Sequence, residues 1–378
     1  MRVIMTGGGT GGHVNPALAI AETIRKYEPD SEIIFVGTSR GIENKLVPAA
    51  GYELHHIDIR GIRRSLSPAN IRAFWLAATS PYKAKKLIRE FKPDIVIGTG
   101  GYVCWPVVKA ASMMGIPCVL HESNAIAGVA VKMLQDKVDR IYLNFEATGK
   151  TLRCPEKLVR VGNPIKGEFS KITREEAREK LGIDPKYNKI ILSYGGSLGA
   201  EKVNEAILKL MKSYSSKHSD VLHIHATGAI EKDIAQAEFK KLGLTKYENL
   251  QLVEYIYDMP LKMAAADIII CRAGALTISE LASAGKCPIF IPSPNVTENH
   301  QYKNAKVLAD AGAAFVFEES ELKNSTNVLI DAVAGLLTEE GEAERRIMAE
   351  RIREFAVEGT GDLIYNDIKE LIESKKKK

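Results

Sequence analysis

The chain has 378 residues, 45% of them hydrophobic and 26% charged, and its 52 Lys+Arg against 47 Asp+Glu leave a formal charge of +5. Those proportions exclude a disordered or fibrous protein, and so small an excess excludes a surface built for wholesale nucleic-acid binding. At roughly 150 residues per domain the length predicts two domains, and no apolar run approaches the ~18 residues of a membrane-spanning helix.

Residues 1–6 read as a first strand rather than a signal peptide, because they run straight into glycines. Strand 3–5 leads through Gly7-Gly8-Gly9-Thr10-Gly11-Gly12-His13 into a helix over 16–26, and a second strand follows at 32–36. Further strands are expected at 95–98, 118–121, 140–143 and 158–161. The pattern then restarts: strand 189–194, the loop Gly195-Gly196-Ser197-Leu198-Gly199, a helix over 202–212, and strands at 221–226, 250–254, 267–271, 288–292 and 314–317. Short apolar runs separated by helices are what a parallel sheet covered on both faces requires. The break is placed at Gly162-Asn163-Pro164. The expectation is α/β: two doubly wound, Rossmann-like parallel-sheet domains, 1–162 and 163–359, with a cleft between them and ligands beyond the carboxyl ends of the strands. The five cysteines (Cys104, Cys118, Cys154, Cys271, Cys287) form no CxxC pair. That predicts neither a disulfide framework nor a zinc site, and a reduced, cytosolic compartment.

The first glycine loop satisfies G-x-G-x-x-G at Gly7, Gly9 and Gly12. Glycines let backbone approach a ligand closely, and a helix N-terminus offers N–H groups to an anion. It is not a Walker loop, because His13-Val14 stands where Gly-Lys-Ser/Thr is needed. It is not a nicotinamide site, because the second strand ends Phe35-Val36-Gly37-Thr38 with no acid for the ribose. Arg272-Ala273-Gly274-Ala275-Leu276-Thr277-Ile278-Ser279-Glu280 is another strand-to-helix junction, whose N–H groups around 275–277 could hold a diphosphate. Glu280 there reads either as the acceptor of two ribose hydroxyls or as the distal half of a Thr277-x-x-Glu280 capping box; spacing alone favours the cap.

With His121-Glu122-Ser123-Asn124, Gly162-Asn163-Pro164 and Asn299-His300-Gln301, these motifs occur in an order that resembles the MurG family of bacterial glycosyltransferases over nearly the whole chain. The resemblance implies a GT-B fold with the donor UDP-N-acetylglucosamine (UDP-GlcNAc) on the carboxyl domain and the acceptor lipid I on the amino domain. It also implies that a C-terminal helix, about 360–378, returns to the amino domain. The implied reaction is an inverting transfer of N-acetylglucosamine to the muramyl 4-hydroxyl, giving lipid II and UDP for peptidoglycan synthesis. By the same resemblance Ile256 contacts uracil through its backbone and Glu280 holds the ribose. Ser197, Leu276 and Thr277 sit at the diphosphate, and Thr10, Asn124, Ala275, His300 and Gln301 lie near the sugar, with Gly11 and Gly12 in the same substrate-binding loop. Lys166 stands where the family often has Arg, a point charge in place of a planar fork. The general base is His13 or Glu122. No Asp-x-Asp is present, so no cofactor and no strictly required metal are expected.

Residues 59–89 contain no acid but hold Arg60, Arg63, Arg64, Arg72, Lys83, Lys85, Lys86 and Arg89, interleaved with Leu66, Ile71, Phe74, Trp75, Leu76 and Tyr82. Ile71, Phe74 and Trp75 share a helix face, and Trp105 follows nearby. With a lipid-linked acceptor this predicts peripheral binding to the anionic cytoplasmic face of the cell membrane, among other cell-wall synthesis enzymes. No nucleic-acid partner is expected.

Overall fold

In the computed structural model, which describes residues 1–60, 69–165 and 169–377, the apolar runs become strands of two separate parallel sheets. The first contains β1 (Arg2–Gly7), β2 (Glu32–Gly37), β3 (Glu53–His56), β4 (Ile95–Gly100), β5 (Cys118–Glu122), β6 (Arg140–Leu143) and β7 (Leu158–Arg160) in the order β3-β2-β1-β4-β5-β6-β7. The second contains β8 (Lys189–Tyr194), β9 (Val221–Ala226), β10 (Leu250–Val253), β11 (Ile268–Cys271), β12 (Pro288–Phe290) and β13 (Phe315–Val316) in the order β10-β9-β8-β11-β12-β13. In each, the chain starts in the middle, walks to one edge, then crosses back to build the other side. Each sheet therefore has a topological switch point, between β1 and β4 and between β8 and β11, where ligands bind on such folds.

The chain divides into two compact units, Met1–Lys166 with Val357–Lys378, and Gly167–Ala356. In the first unit the strand period of two sends alternate residues of β1 to opposite faces. Val3 and Met5 join Ile33, Phe35, Val14 and Ile20 on one face; Ile4 joins Ile34, Val96, Ile88 and Val107 on the other. The C-terminal helix Thr360–Lys376 belongs to the first face. Ile364, Ile368, Leu371 and Ile372 form a helical stripe buried in that core. Polar groups fix its register: the Tyr142 hydroxyl donates to Asp367 Oδ2 at 2.7 Å, Tyr27 stacks on Tyr365 at 4.4 Å, and Lys375 pairs with Asp139 at 2.7 Å.

In the second unit, Ile191, Ile268, Ile270 and Ile289 pack against Val203, Ile207 and Leu210 of the helix Glu201–Ser213. One buried chain of polar groups runs through this unit. Ser215 Oγ meets His223 Nδ1 at 2.9 Å, and His223 Nε2 meets Ser193 Oγ at 3.0 Å. Ser193 Oγ meets His225 Nδ1 at 2.9 Å, and His225 Nε2 meets Asn204 Oδ1 at 3.0 Å. Burial pushes the His225 pKa down to about 4 and that of His223 well below its ordinary 6.5, so both rings are neutral and belong to the framework.

Candidate active site

In the first unit, the loop after β1 is shaped by what it must approach. Gly9 has φ +88°, and a Cβ on Gly101 would lie 2.4 Å from the Gly8 carbonyl oxygen, so the loops after β1 and β4 meet backbone to backbone. The Gly8 N–H donates to the Gly100 carbonyl at 3.3 Å. The helix Gly11–Tyr27 starts directly at this crossing, with Thr10 as its N-cap residue, so Gly11, Gly12 and His13 form its first turn. The His13 N–H closes on the Thr10 carbonyl at 3.1 Å, which leaves the N–H groups of Gly11 and Gly12 outside the intrahelical ladder.

His13 is half-buried against Gly100, whose Cβ position would be 2.5 Å from the ring. Its Nδ1 lies 3.1 Å from the Gly8 carbonyl and 3.4 Å from Thr10 Oγ1. A carbonyl only accepts, so Nδ1 carries the proton and Nε2 keeps its lone pair. Burial lowers the His13 pKa; the Gly8 carbonyl and the Glu43 carboxylate pull part of it back. The ring is thus neutral at pH 7, with the lone pair on Nε2.

Glu122, the rival base, has its oxygens engaged. Oε1 accepts from the Asn124 N–H at 3.0 Å and from Asn124 Nδ2 at 3.1 Å, while Oε2 accepts from the Gly128 N–H at 2.8 Å. It is buried and ties the loop after β5 into a turn that holds Asn124. His121 is a framework residue: Nε2 donates to the Gly162 carbonyl at 2.9 Å, and burial takes its pKa down to about 4.

One buried carboxylate escaped the sequence reading. Glu43 stands a few residues beyond β2, near where a nicotinamide-binding fold keeps its ribose acid, and its Oε2 accepts the Gly9 N–H at 2.9 Å. The signal was Gly37-Thr38 and Gly41 crowded around it: a Cβ on Gly41 would overlap the carboxylate.

In the second unit, the helix Ala275–Ala284 begins after Gly274 as N-cap residue and makes no side-chain cap. This corrects the capping-box reading. The helix starts before Thr277, so Thr277 sits inside its first turn and Glu280 one turn further on, without a hydrogen bond among the described residues. Burial alone pushes the Glu280 carboxyl up to about 7. Its field reaches Tyr194 and Cys271, which end β8 and β11, so Glu280 stands at the second switch point. The first helical bond is Ile278 N–H to the Gly274 carbonyl at 3.0 Å, which leaves the N–H groups of Leu276 and Thr277 ahead of it outside the intrahelical ladder.

Ser197 is exposed in the loop after β8, its carbonyl fixed by the Ala229 N–H at 3.1 Å. Ile256 has a buried side chain between the exposed Tyr255 and Tyr257, and its backbone makes no hydrogen bond among the described residues. Gln301 Oε1 accepts from the Ser293 N–H at 2.9 Å, which orients its amide and leaves the Nε2 donors for a ligand. His300 is anchored through Nδ1 to the Thr297 carbonyl at 2.9 Å. Two consecutive left-handed residues, Glu298 and Asn299, turn the chain into the helix that carries both. Such non-glycine strain persists only where the surroundings hold it. Lys166 lies outside the described residues.

Trp75 is 64% exposed on the helix Ala69–Phe91, and Tyr82 is 73% exposed further along it. Ile71 and Phe74 belong to that helix, with side chains outside the described part. Trp105 stands on a helix and not in a loop. It is half-buried against the core on the helix Cys104–Met113, which packs on Ala69–Phe91, and Lys109 Nζ sits 4.5 Å from its ring centroid. Among the described residues no group of three or more His, Cys, Asp or Glu could hold a metal, and no helix is long and apolar enough to cross a membrane.

Comparisons with known proteins agree with both units. Residues 3–143 match the glycosyltransferase family 28 N-terminal domain, and residues 190–358 match the family 28 C-terminal domain. The chain is 42% identical over 375 residues, 99% of each chain, to the UDP-N-acetylglucosamine–N-acetylmuramyl-(pentapeptide) pyrophosphoryl-undecaprenol N-acetylglucosamine transferase of Acetivibrio thermocellus. Among solved structures, Acinetobacter baumannii MurG superposes with a TM-score of 0.78 at 30% identity, covering 98% of this chain and 99% of that one. The UDP-GlcNAc 2-epimerase of Neisseria meningitidis, bound to UDP-GlcNAc, shares the fold alone, with a TM-score of 0.63 at 16% identity over 98% of this chain and all (100%) of that one. Two parallel sheets of the GT-B kind, both family 28 domains in order and full-length identity to a named transferase lead to one assignment: the chain belongs to the MurG family of glycosyltransferases.

Proposed function

We propose that the protein transfers N-acetylglucosamine from UDP-GlcNAc to the 4-hydroxyl of the muramyl sugar in lipid I, with inversion, releasing UDP and lipid II. The observation that carries the reading is the neutral His13 ring, pinned through Nδ1 to the Gly8 carbonyl with Nε2 left as the base. In this reading the first unit binds the acceptor and the second binds the donor. His13 Nε2 takes the proton of the 4-hydroxyl as its oxygen bonds to the anomeric carbon, and the bond from that carbon to the UDP oxygen breaks, its electron pair leaving with UDP. The charge that develops on the diphosphate is met by the first-turn N–H groups at Ala275, Leu276 and Thr277 and by Ser197, donors already in place before the reaction. These groups serve in place of a required metal ion. Glu280 accepts from the ribose hydroxyls and the Ile256 backbone reads uracil. Gln301, His300, Asn124, Thr10 and Lys166 position the sugars, with Gly11 and Gly12 lining the same loop. Glu122 shapes the Asn124 turn and does not act as the base.

The test is transfer of radiolabelled N-acetylglucosamine from its UDP donor to a short-chain lipid I analogue, with chelator present. Label in the lipid-soluble disaccharide is the expected result. Label released as a free epimerised sugar, with no lipid product, would move the chain to the isomerase chemistry of its structural neighbour.

The protein rests on the anionic cytoplasmic leaflet through Trp75, Tyr82 and the lysines of the helix Ala69–Phe91, beside the enzymes that supply and consume its lipids. Each basic side chain near such a surface contributes about 1 kcal/mol, screened beyond a Debye length. Binding to phosphatidylglycerol vesicles is therefore expected to weaken steeply between 0.05 and about 0.5 M salt, and Trp75→Ala to weaken what remains. Co-sedimentation that ignores salt would refute the electrostatic part.

A further inference from the structure

Glu43 is fully buried, yet it holds no cation among the described residues. Its Oε1 accepts the Thr38 N–H at 2.9 Å and the Thr38 hydroxyl at 2.8 Å, and its Oε2 accepts the Gly9 N–H at 2.9 Å. Cβ atoms on Gly8, Gly37 and Gly41 would all collide with this side chain, so three glycines are gathered around one anion. These donors outweigh the burial that would push the carboxyl up and hold it below its ordinary 4.5, so it is ionised at neutral pH.

The Gly9 N–H that Glu43 accepts and the Gly8 carbonyl that His13 Nδ1 meets at 3.1 Å belong to the same peptide group. A carboxylate on the N–H side polarises that peptide and makes its carbonyl a stronger acceptor, as in any hydrogen-bonded chain. We infer that Glu43 is a positioning residue that fixes the tautomer of His13 and raises its basicity through the Gly8–Gly9 peptide. The arrangement is an acid–base pair with one peptide inserted between its members. As Nε2 takes a proton, the imidazolium that forms is stabilised along this line, while the carboxylate keeps its own charge. The other groups that meet the ring, Gly8, Thr10 and Gly100, are uncharged, so among the described residues Glu43 is the titratable group whose field reaches His13.

The inference rests on the reading of His13 as the base, and two independent readouts separate the two. Glu43→Gln removes the charge and keeps the shape. The acid limb of kcat/KM against pH is expected to move down by about 0.5–1 unit, with kcat at its plateau about three- to tenfold lower and KM for UDP-GlcNAc unchanged. The His13 ring titration followed by NMR, assigned with His13→Ala, should move by the same amount. Thr38→Val removes a hydroxyl that drains the carboxylate and leaves the charge, so its acid limb and ring titration should move up; it also decides the matter should Glu43→Gln not fold. A Glu43→Gln enzyme that is slower but unmoved in both titrations would reduce Glu43 to a structural support and overturn the inference. If His13→Ala stays active while the ring titration still moves, the coupling stands and the base assignment falls.

Discussion

Replacing His13 with alanine is expected to lower kcat by about 10²- to 10⁴-fold, with KM for UDP-GlcNAc nearly unchanged and the thermal transition preserved. The ring contributes little to the core, being half-buried and packed on glycine, so its removal acts on chemistry. Its one firm contact, Nδ1 to the Gly8 carbonyl, leaves the lone pair on Nε2. A helix N-terminus and burial both disfavour the protonated ring, which weakens it as a base but ensures that the neutral form is present at pH 7. Glu122→Gln serves as the control. Its oxygens already accept backbone and amide N–H groups around Asn124 and Gly128, so that variant should lose stability together with activity. Steady-state kinetics beside thermal melts of both variants would check this. A Glu122→Gln protein that melts normally but is slower than His13→Ala would reverse the roles.

The two glycine loops at the switch points were legible because their reason is local. A strand that ends on glycines at the start of a helix has few other uses, and the neighbouring apolar runs showed where the sheets would be. What the sequence hid was set by partners distant in the chain. Glu43 looks like any acid at the start of a helix; only the fold shows three glycines and the Gly9 N–H closing on it. Thr277-x-x-Glu280 has the spacing of a capping box, yet the chain takes helical geometry from Ala275, because Gly274 ends β11's exit with no side chain to cap. The strand Glu53–His56 was missed because an edge strand with half its residues in water carries no apolar run. Trp105 next to a basic segment reads the same in a loop or on a helix, and only the fold shows it on Cys104–Met113, packed beside Ala69–Phe91.

Binding of UDP at pH 7 is expected to release about half a proton, and the source is Glu280. Without ligand its carboxyl is buried with no donor to stabilise the charge, and its pKa lies at about 7 instead of 4.5. Ribose hydroxyls offered as donors favour the ionised form, so the proton leaves on binding. The sign for stability is opposite to that of a paired carboxylate. The unfolded chain ionises Glu280 from about pH 4.5 upward while the folded chain resists until about 7, so the free protein loses up to about 3 kcal/mol from this group as pH rises across that window. Glu280→Gln should therefore melt higher than the parent at pH 8 when no nucleotide is present. The same change should raise KM for UDP-GlcNAc by about 10- to 100-fold, since hydrogen bonds to a charged acceptor contribute about 1.5–3 kcal/mol. Titration calorimetry with UDP at pH 7, in phosphate and in Tris, reads the proton directly. The two buffers differ widely in ionisation enthalpy, so equal binding enthalpies would mean that no proton leaves and that Glu280 does not hold the ribose. A stabilised variant that has lost donor affinity would instead show a buried charge kept for its ligand at the expense of the empty fold.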